Sequence, residues 1–281
     1  MYVIGLCLYA LRHHFIFLIQ KYSIVFTAKL HNNHYLGPMN THAADDGVAE
    51  VIGFILIIAL IVAVAAVWIL VYIPSEGNAV ETEHARLVTE ELADIKYGID
   101  LLWTTEQTDI NVSRVLSPSP VEGTALSGLL FLSPPVGTGT ITVSNGTAFW
   151  INRSGQSPVT VSALKITYNS ANYYAPDIRI VYDGGAVFRG EKDEMPYVLL
   201  PPSVGTSDLV LITVPSNYGE QQILGNIPLS LTYKYRGETT YHDANVTLYQ
   251  TDPNNRWEDY TGRIFANVTV VRYAVVVGGP Q

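Results

Sequence analysis

The chain has 281 residues, a formal net charge of −9 at pH 7 and a single cysteine, Cys7. Its acidic balance without basic clusters argues against nucleic acid and against an anionic membrane surface as partners. One thiol excludes an intrachain disulfide framework, so the folded part of the chain depends on its hydrophobic core.

Residues 1–38 differ from the rest of the chain. They carry Arg12, Lys21 and Lys29 and no acidic residue, and their apolar stretches are too interrupted to span a membrane. Because Met39 precedes a short polar segment, we expect translation to begin there, which makes residues 1–38 a gene-start error. The alternative is a genuine basic extension, whose charges favour the cytoplasmic side of a membrane.

The stretch Val51–Ile73 contains no charged residue, Asn, Gln or Pro. A helix rises about 1.5 Å per residue, so about 20 apolar residues cross a bilayer core. Trp68 and Tyr72 lie near the far end of the run, where aromatic rings favour the membrane–water interface. We therefore predict a single transmembrane helix over residues 48–73, with Phe54 in its apolar surface. A buried helix of a globular core is disfavoured because it normally carries a polar stripe.

A short motif precedes this run. Gly47-Val48-Ala49-Glu50 places a glutamate three residues after a glycine, and Val51-Ile52-Gly53-Phe54 follows it. The stretch resembles the class III signal peptide of archaeal type IV pilins and archaellin-like proteins. The resemblance implies that a prepilin-type peptidase cuts between Gly47 and Val48, so that residues 39–47 are a leader and the apolar helix stays on the mature protein.

The resemblance also implies an assembly role for Glu50, near the new N-terminus. A carboxylate there is favoured by the helix macrodipole and can pair with the α-amine of a neighbouring subunit in a filament. The alternative is that Glu50 only bounds a membrane helix. The family usually carries Lys or Arg before the cut, whereas this chain has His42, Asp45 and Asp46. That departure bears on processing and not on the anchor.

After the run, Pro74 and Gly77 predict a kink or an interruption of the helix. Residues 74–110 then read as an amphipathic stalk helix, because apolar residues recur at alternating steps of three and four. These residues are Ala85, Val88, Leu92, Ile95, Ile99 and Leu102. Such a seam packs either on the protein's own sheet, which is the commoner arrangement, or on the helices of sister subunits.

From Gly123 onward the pattern is typical of β-strands bounded by Gly, Pro, Asn and Asp. The runs are Thr140–Val143, Ala148–Ile151, Val159–Tyr168, Ile178–Tyr182, Ala186–Arg189, Leu209–Val214, Leu229–Tyr235, Asn245–Tyr249 and Ile264–Val277. Asp183-Gly184-Gly185 predicts a tight hairpin, because glycine accepts the positive φ that such a turn needs. We predict an α+β protein: a long hydrophobic N-terminal helix, then an all-β, sandwich-like domain over residues 111–281. The segment Tyr182–Arg189 also resembles one found in archaeal pilin-like membrane proteins with uncharacterised heads.

Five Asn-X-Ser/Thr sequons imply surface positions of an exported domain where they are glycosylated. They begin at Asn111, Asn145, Asn152, Asn245 and Asn267. The last two fall in predicted strands, where modification needs an outward-facing side chain, so we favour the first three as glycan acceptors.

The pattern of polar residues predicts no enzyme, no cofactor and no metal site. Beyond residue 74 the histidines are His84 and His242, and there is no Gly-X-Ser-X-Gly elbow. We interpret His242-Asp243 as a solvated polar pair. The acidic loop Asp252–Asp259 offers oxygen ligands for Ca²⁺ but lacks the EF-hand glycine, so we interpret it, like the loop Glu191–Glu194, as a polar turn.

Two functions follow. The first is a type IV pilin-like structural subunit or minor pilin, assembled with its copies or with other pilins through the apolar helix. The second is a monomeric, single-pass cell-surface protein with a ligand-binding or envelope-associated β-domain. Both place the chain in the cell membrane with its C-terminal domain outside. An extracellular hydrolase is disfavoured because no nucleophile–base pair is evident.

Overall fold

The computed structural model describes residues 42–120, 135, 137–192, 194–215, 219–224, 228–249 and 255–278. The chain divides into two compact units, and the division follows Val64. The second unit, Ala65–Gln281, contains the end of the apolar run, the amphipathic helix and all of the described strands.

Three helical segments follow one another: α1, His42–Val67; a π-helical segment, Trp68–Tyr72; and α2, Ile73–Thr104. Pro74 and Gly77 do not interrupt the helix, since both lie inside α2. The wider π-helical turns come directly before the proline, where they relieve the collision between its ring and the preceding turn. The helix ends at Thr104. The rest of the segment expected to be helical to residue 110 is a turn followed by irregular backbone.

The described part of the β-domain contains ten strands. They are β1 Asn111–Leu116, β2 Thr138–Arg153, β3 Val159–Ala171, β4 Ile178–Asp183, β5 Ala186–Glu191, β6 Tyr197–Leu200, β7 Asp208–Val214, β8 Gln221–Leu224, β9 Leu229–Leu248 and β10 Ile264–Gly278. Each predicted run coincides with a strand or part of one, except that the run Asn245–Tyr249 extends one residue beyond the end of β9 at Leu248. The short strands β1, β6 and β8 were not predicted.

The ten strands form one sheet, in the order β6-β5-β4-β3-β7-β10-β9-β2-β8, and β1 pairs with β9. Since β2 also pairs with β3, the strands β3, β7, β10, β9 and β2 form a closed ring of five. The β7–β10 pairing is parallel and the other pairings are antiparallel. The α+β class, with a long apolar helix before a strand-rich domain, is confirmed. The sandwich-like form is not, because one sheet closes on itself where two stacked sheets were expected.

Two apolar clusters lie on the two faces of the β4–β5 hairpin. Ile180 and Tyr182 belong to the cluster that also contains the seam of α2. Val181 and Phe188 belong to the other, where the rings of Phe149 and Trp257 meet edge to face at 4.9 Å. Every residue from 180 to 188 is buried. The hairpin is therefore the shared wall of both cores.

The turn of this hairpin is buried inside the domain, and it contains two glycines. Asp183 pairs with Ala186, and Gly184 and Gly185 between them have φ angles of 60° and 105°. A Cβ atom on Gly184 would lie 3.1 Å from the ring of Trp257. The hairpin predicted from Asp183-Gly184-Gly185 is confirmed, and glycine is needed for both conformation and space.

The carboxylate of Asp183 is fully buried and hydrogen-bonded. It accepts bonds from the backbone N–H of Thr147 at 3.2 Å, from its hydroxyl at 2.5 Å, and from the amide of Asn255 at 2.8 Å. Asn255 in turn accepts a bond from the backbone N–H of Trp257 at 3.2 Å. These bonds join the hairpin to β2 and to the segment that precedes β10, and they offset the cost of burying the charge.

We expect Asp183→Ala to lower the free energy of unfolding by about 3 kcal/mol or more, because it leaves several buried donors without an acceptor. The measurement is urea unfolding of the detergent-solubilised protein, followed by tryptophan fluorescence. Asp109→Ala removes an exposed carboxylate and is the matched control, with an expected change within about 0.5 kcal/mol. Equal midpoints for the two variants would contradict the structural role of Asp183.

Candidate functional site

The apolar run is exposed all round the helix. Between Val51 and Tyr72, Trp68 is half-buried and the other large side chains have 36% to 66% of their surface exposed. No residue of the most apolar 18-residue window is buried. An exposed apolar surface of this length is not stable in water and needs a cover of lipid or protein. The helix is long and apolar enough to cross a membrane, as predicted.

Aromatic side chains lie at the end of the apolar run, in the π-helical segment. The rings of Trp68 and Tyr72 are stacked, with centroids 4.1 Å apart. Indole and phenol groups favour the boundary between hydrocarbon and water, so a bilayer crossed by this helix would end near this pair.

The residues of the signal-like motif all lie within α1. Gly47, Val48 and Glu50 follow the first residue of that helix, His42, and the described side chains begin at residue 51. The cleavage site between Gly47 and Val48 and the assembly role of Glu50 stay predictions.

The seam of α2 packs on the sheet of its own domain. All six of its predicted apolar residues are buried, and five of them, all except Ala85, join the cluster that contains Tyr182. Close approach depends on two glycines of the helix. A Cβ atom on Gly77 would lie 2.2 Å from the ring of Tyr174, and one on Gly98 would lie 2.1 Å from the hydroxyl oxygen of Tyr233. Of the two arrangements considered for the seam, the intramolecular one is observed.

A tyrosine of β10 fixes the C-terminal part of α2. The hydroxyl of Tyr273 donates a hydrogen bond to the carbonyl oxygen of Ile99 at 2.6 Å. Burial, and then the charge of Asp100, raise the pKa of Tyr273 well above its ordinary value. The phenol therefore remains a protonated donor across the physiological pH range.

Glu81 fixes the N-terminal part of α2, and only 1% of its surface is exposed. Its two carboxylate oxygens accept four backbone N–H groups. Oε1 binds those of Gly137 at 3.0 Å and Tyr173 at 2.8 Å, and Oε2 binds those of Tyr174 at 2.8 Å and Ala175 at 2.7 Å. The carboxylate thus joins the helix to the β3–β4 turn and to the segment before β2.

Sequence reasoning missed Glu81, although a signal for it was present. Glu81 lies four residues before Ala85 and seven before Val88, on the line of the apolar seam. A charged residue at such a position needs buried hydrogen-bond partners. Its donors belong to residues 56 to 94 positions away, so no local pattern indicates which backbone groups they are.

We expect Glu81→Ala to lower the free energy of unfolding by about 3 kcal/mol, since four N–H groups lose a charged acceptor. Hydrogen exchange should also become faster at the amides of Tyr173, Tyr174 and Ala175. The control is Glu90→Ala, which removes an exposed ion pair with Arg86 and should change stability by less than about 1 kcal/mol. Unchanged exchange at the three amides would refute the role given to Glu81.

The five sequons differ in exposure. Asn111 is exposed at the start of β1, a strand with one partner among the described strands, and it follows a run of exposed residues from 104 to 110. The other four acceptor asparagines are half-buried and lie in β2, β9 and β10, which are strands of the closed ring; they are Asn145, Asn152, Asn245 and Asn267.

Local contacts disfavour modification at these four positions. The amide nitrogen that would carry the glycan donates to Thr247 Oγ1 at 3.2 Å in Asn152 and to Asp208 Oδ1 at 2.7 Å in Asn267. The sequon of Asn145 ends at Thr147, whose buried hydroxyl binds Asp183. Asn245 is flanked by paired strands on both sides.

Among the five sequons we therefore expect glycosylation at Asn111. Glycopeptide mass spectrometry of the protein from its native host should find the glycan there, and Asn111→Gln should remove it without loss of folded protein. Ser154→Ala, which abolishes the sequon of Asn152, is the control and should leave glycan content unchanged. Glycan confined to the ring strands would contradict this assignment.

The two histidines singled out from the sequence lie in different elements, His84 in α2 and His242 in β9. Nδ1 of the exposed His242 is hydrogen-bonded to Oδ1 of Asn267 at 2.8 Å. His84 is buried in α2, and this burial lowers its pKa. A hydrogen bond with the backbone of Pro118 offsets only part of that shift. No group of three or more His, Cys, Asp or Glu side chains within the described ranges is placed to hold a metal ion.

The acidic loop Asp252–Asp259 is not an ordinary polar turn. Its described part begins at Asn255, which is buried against Asp183, and includes Trp257, which is fully buried in the second cluster. The sequence pattern did not show this burial, because polar and aromatic residues are equally typical of an exposed loop and of a loop that packs against the core. In the loop Glu191–Glu194, residue 193 lies outside the described residues, and Glu191 and Glu194 are exposed.

Comparisons with protein-family models, with curated proteins and with solved structures found no match to this chain.

Proposed function

We propose that the chain is a type IV pilin-like structural subunit, or a minor pilin, of an archaeal surface filament. Its apolar helix holds it in the cell membrane before assembly and packs against other pilins afterwards. The β-domain lies outside the cell. Its partners are the membrane, a prepilin-type peptidase and other pilin subunits.

The observation that carries this proposal is the exposed apolar helix from Val51 to Tyr72. Its surface is apolar on every side and has no partner among the described residues. A bilayer covers such a surface in a single subunit, and sister helices cover it in a filament. Glu50 stands at the start of this helix, where a carboxylate is suited to pair with the α-amine of a neighbouring subunit.

The attachment of the helix to the β-domain supports an assembly role over a flexible tether. Residues 65–104 belong to the same compact unit as the sheet, and Glu81, the apolar seam and Tyr273 hold α2 against that sheet. A tether needs no such fixation. A filament subunit needs it, because a mobile domain would cost ordering entropy at each addition.

The second candidate is a monomeric, single-pass surface protein with a ligand-binding or envelope-associated β-domain. It is favoured by His42, Asp45 and Asp46, which stand where prepilin-type signals carry basic residues. In this case the apolar helix serves as an anchor alone.

Processing distinguishes the two functions. For the filament subunit we expect mass spectrometry of the mature protein to give an N-terminus at Val48. We also expect Glu50→Ala to leave the protein in the membrane fraction but to abolish filaments in electron micrographs. Glu90→Ala is the control and should assemble normally. A mature N-terminus at Met39 or upstream, with no filaments from the parent chain, would overturn the filament-subunit proposal and favour the tethered surface protein.

A further inference from the structure

We infer that the β3–β4 turn, residues 172–177, rests on the polar headgroup layer of the membrane, with Tyr173 as its main contact. The inference builds on the proposed membrane anchoring and adds to it a lipid-facing surface on the β-domain. It starts from contacts within the unit Ala65–Gln281.

The turn lies beside the first turns of α2. The ring of Tyr174 leaves no space for a side chain at Gly77, and Asn78 donates a hydrogen bond to the carbonyl oxygen of Tyr174 at 3.4 Å. Glu81 binds the backbone N–H groups of residues 173–175. The position of the turn along the helix is therefore fixed.

The distance from the turn to the hydrocarbon is short. The apolar run ends at Ile73, so at about 1.5 Å per residue Gly77 lies about 6 Å and Glu81 about 12 Å beyond its end. The headgroup region on each side of a bilayer is roughly 5–8 Å thick. The ring of Tyr174 is thus at headgroup level. The backbone bound by Glu81 lies about 4 Å or more outside that layer, and the side chain of Tyr173 is the part of the turn that reaches back to it.

The side chains presented there suit a membrane interface. Tyr173 is 69% exposed although it stands on a turn whose backbone is hydrogen-bonded to Glu81. Met195, 74% exposed, belongs to the neighbouring β5–β6 loop, which contacts the turn through the bond from the N–H of Lys192 to the carbonyl of Asp177 at 3.1 Å. A phenol with an apolar ring and a polar tip partitions into the headgroup layer.

Charge does not supply the attraction. The adjoining loop carries Lys192 but also Glu191 and Glu194, all of them exposed. We therefore expect contact with zwitterionic lipid and little dependence on salt, in contrast to a polybasic surface.

The test uses the full chain with Cys7→Ser in phosphatidylcholine nanodiscs, one copy per disc. An environment-sensitive fluorophore is attached at Tyr173→Cys, and quenching by lipids spin-labelled in the headgroup is measured. Tyr249→Cys is the matched control, because Tyr249 is 54% exposed and lies far from the turn. Its neighbour Leu248 pairs with Phe149 near one end of β2. The other end of β2, at Thr138, pairs with Ala171 beside the turn. The separation along β2 is therefore about 35 Å at roughly 3.3 Å per residue.

We expect quenching of the Tyr173 label at least about twofold stronger than that of the Tyr249 label, as an interfacial position requires. A third label at Ile61→Cys reports insertion of the helix through quenching by lipids spin-labelled in the acyl chain. Equal quenching at 173 and 249, with Ile61 inserted, overturns the inference and leaves the anchoring intact. Absence of quenching at Ile61 overturns both. A signal at 173 that arises only with two copies per disc assigns the surface to a sister subunit and also overturns the inference.

Discussion

The buried carboxylate of Glu81 sets the position of α2 along the sheet. Removing a carboxylate from water costs several kcal/mol unless hydrogen bonds replace its hydration. The four backbone N–H groups from two separate segments supply them only when the helix lies in one position. The apolar seam alone is less selective, because steps of three and four residues also permit packing after a shift of one turn. Gly77 and Gly98 meet tyrosine rings in the same position.

The β4–β5 hairpin has a comparable role between the two apolar clusters. Its side chains alternate between the clusters, so both cores depend on one pair of strands. Asp183 lies at the start of the buried turn of this hairpin. Its carboxylate accepts hydrogen bonds from Thr147 and Asn255. The segment Asn145-Gly146-Thr147 matches a glycan acceptor sequence, but its Thr147 is hydrogen-bonded to Asp183 in the interior. A Cβ atom on Gly146 would lie 2.2 Å from Asp183 Oδ1.

Features with a local pattern were predictable from the sequence. The seam of α2, most strands and the Gly184–Gly185 turn depend on periodicity or on single residues. The closed ring was not predictable, because it depends on the β2–β3 and parallel β7–β10 pairings. The sequence of a strand does not indicate which other strand it pairs with. The contacts of Glu81 and Asp183 were missed for the same reason. The motif around Gly47 and Glu50 is readable because it is linear, and its role rests on a resemblance.

The two parts of the helix have different surfaces available to a partner. In α2 the apolar seam is already covered by the sheet, and the outer face mixes Leu87, Tyr97 and Leu101 with acidic residues such as Glu90 and Asp94. Like charges on neighbouring copies of that face would repel one another. Residues 51–72 carry no charge, and no described residue covers their apolar surface. In the filament proposed above, the apolar contact between subunits therefore comes from residues 51–72, while the apolar seam and Glu81 hold α2 against its own sheet.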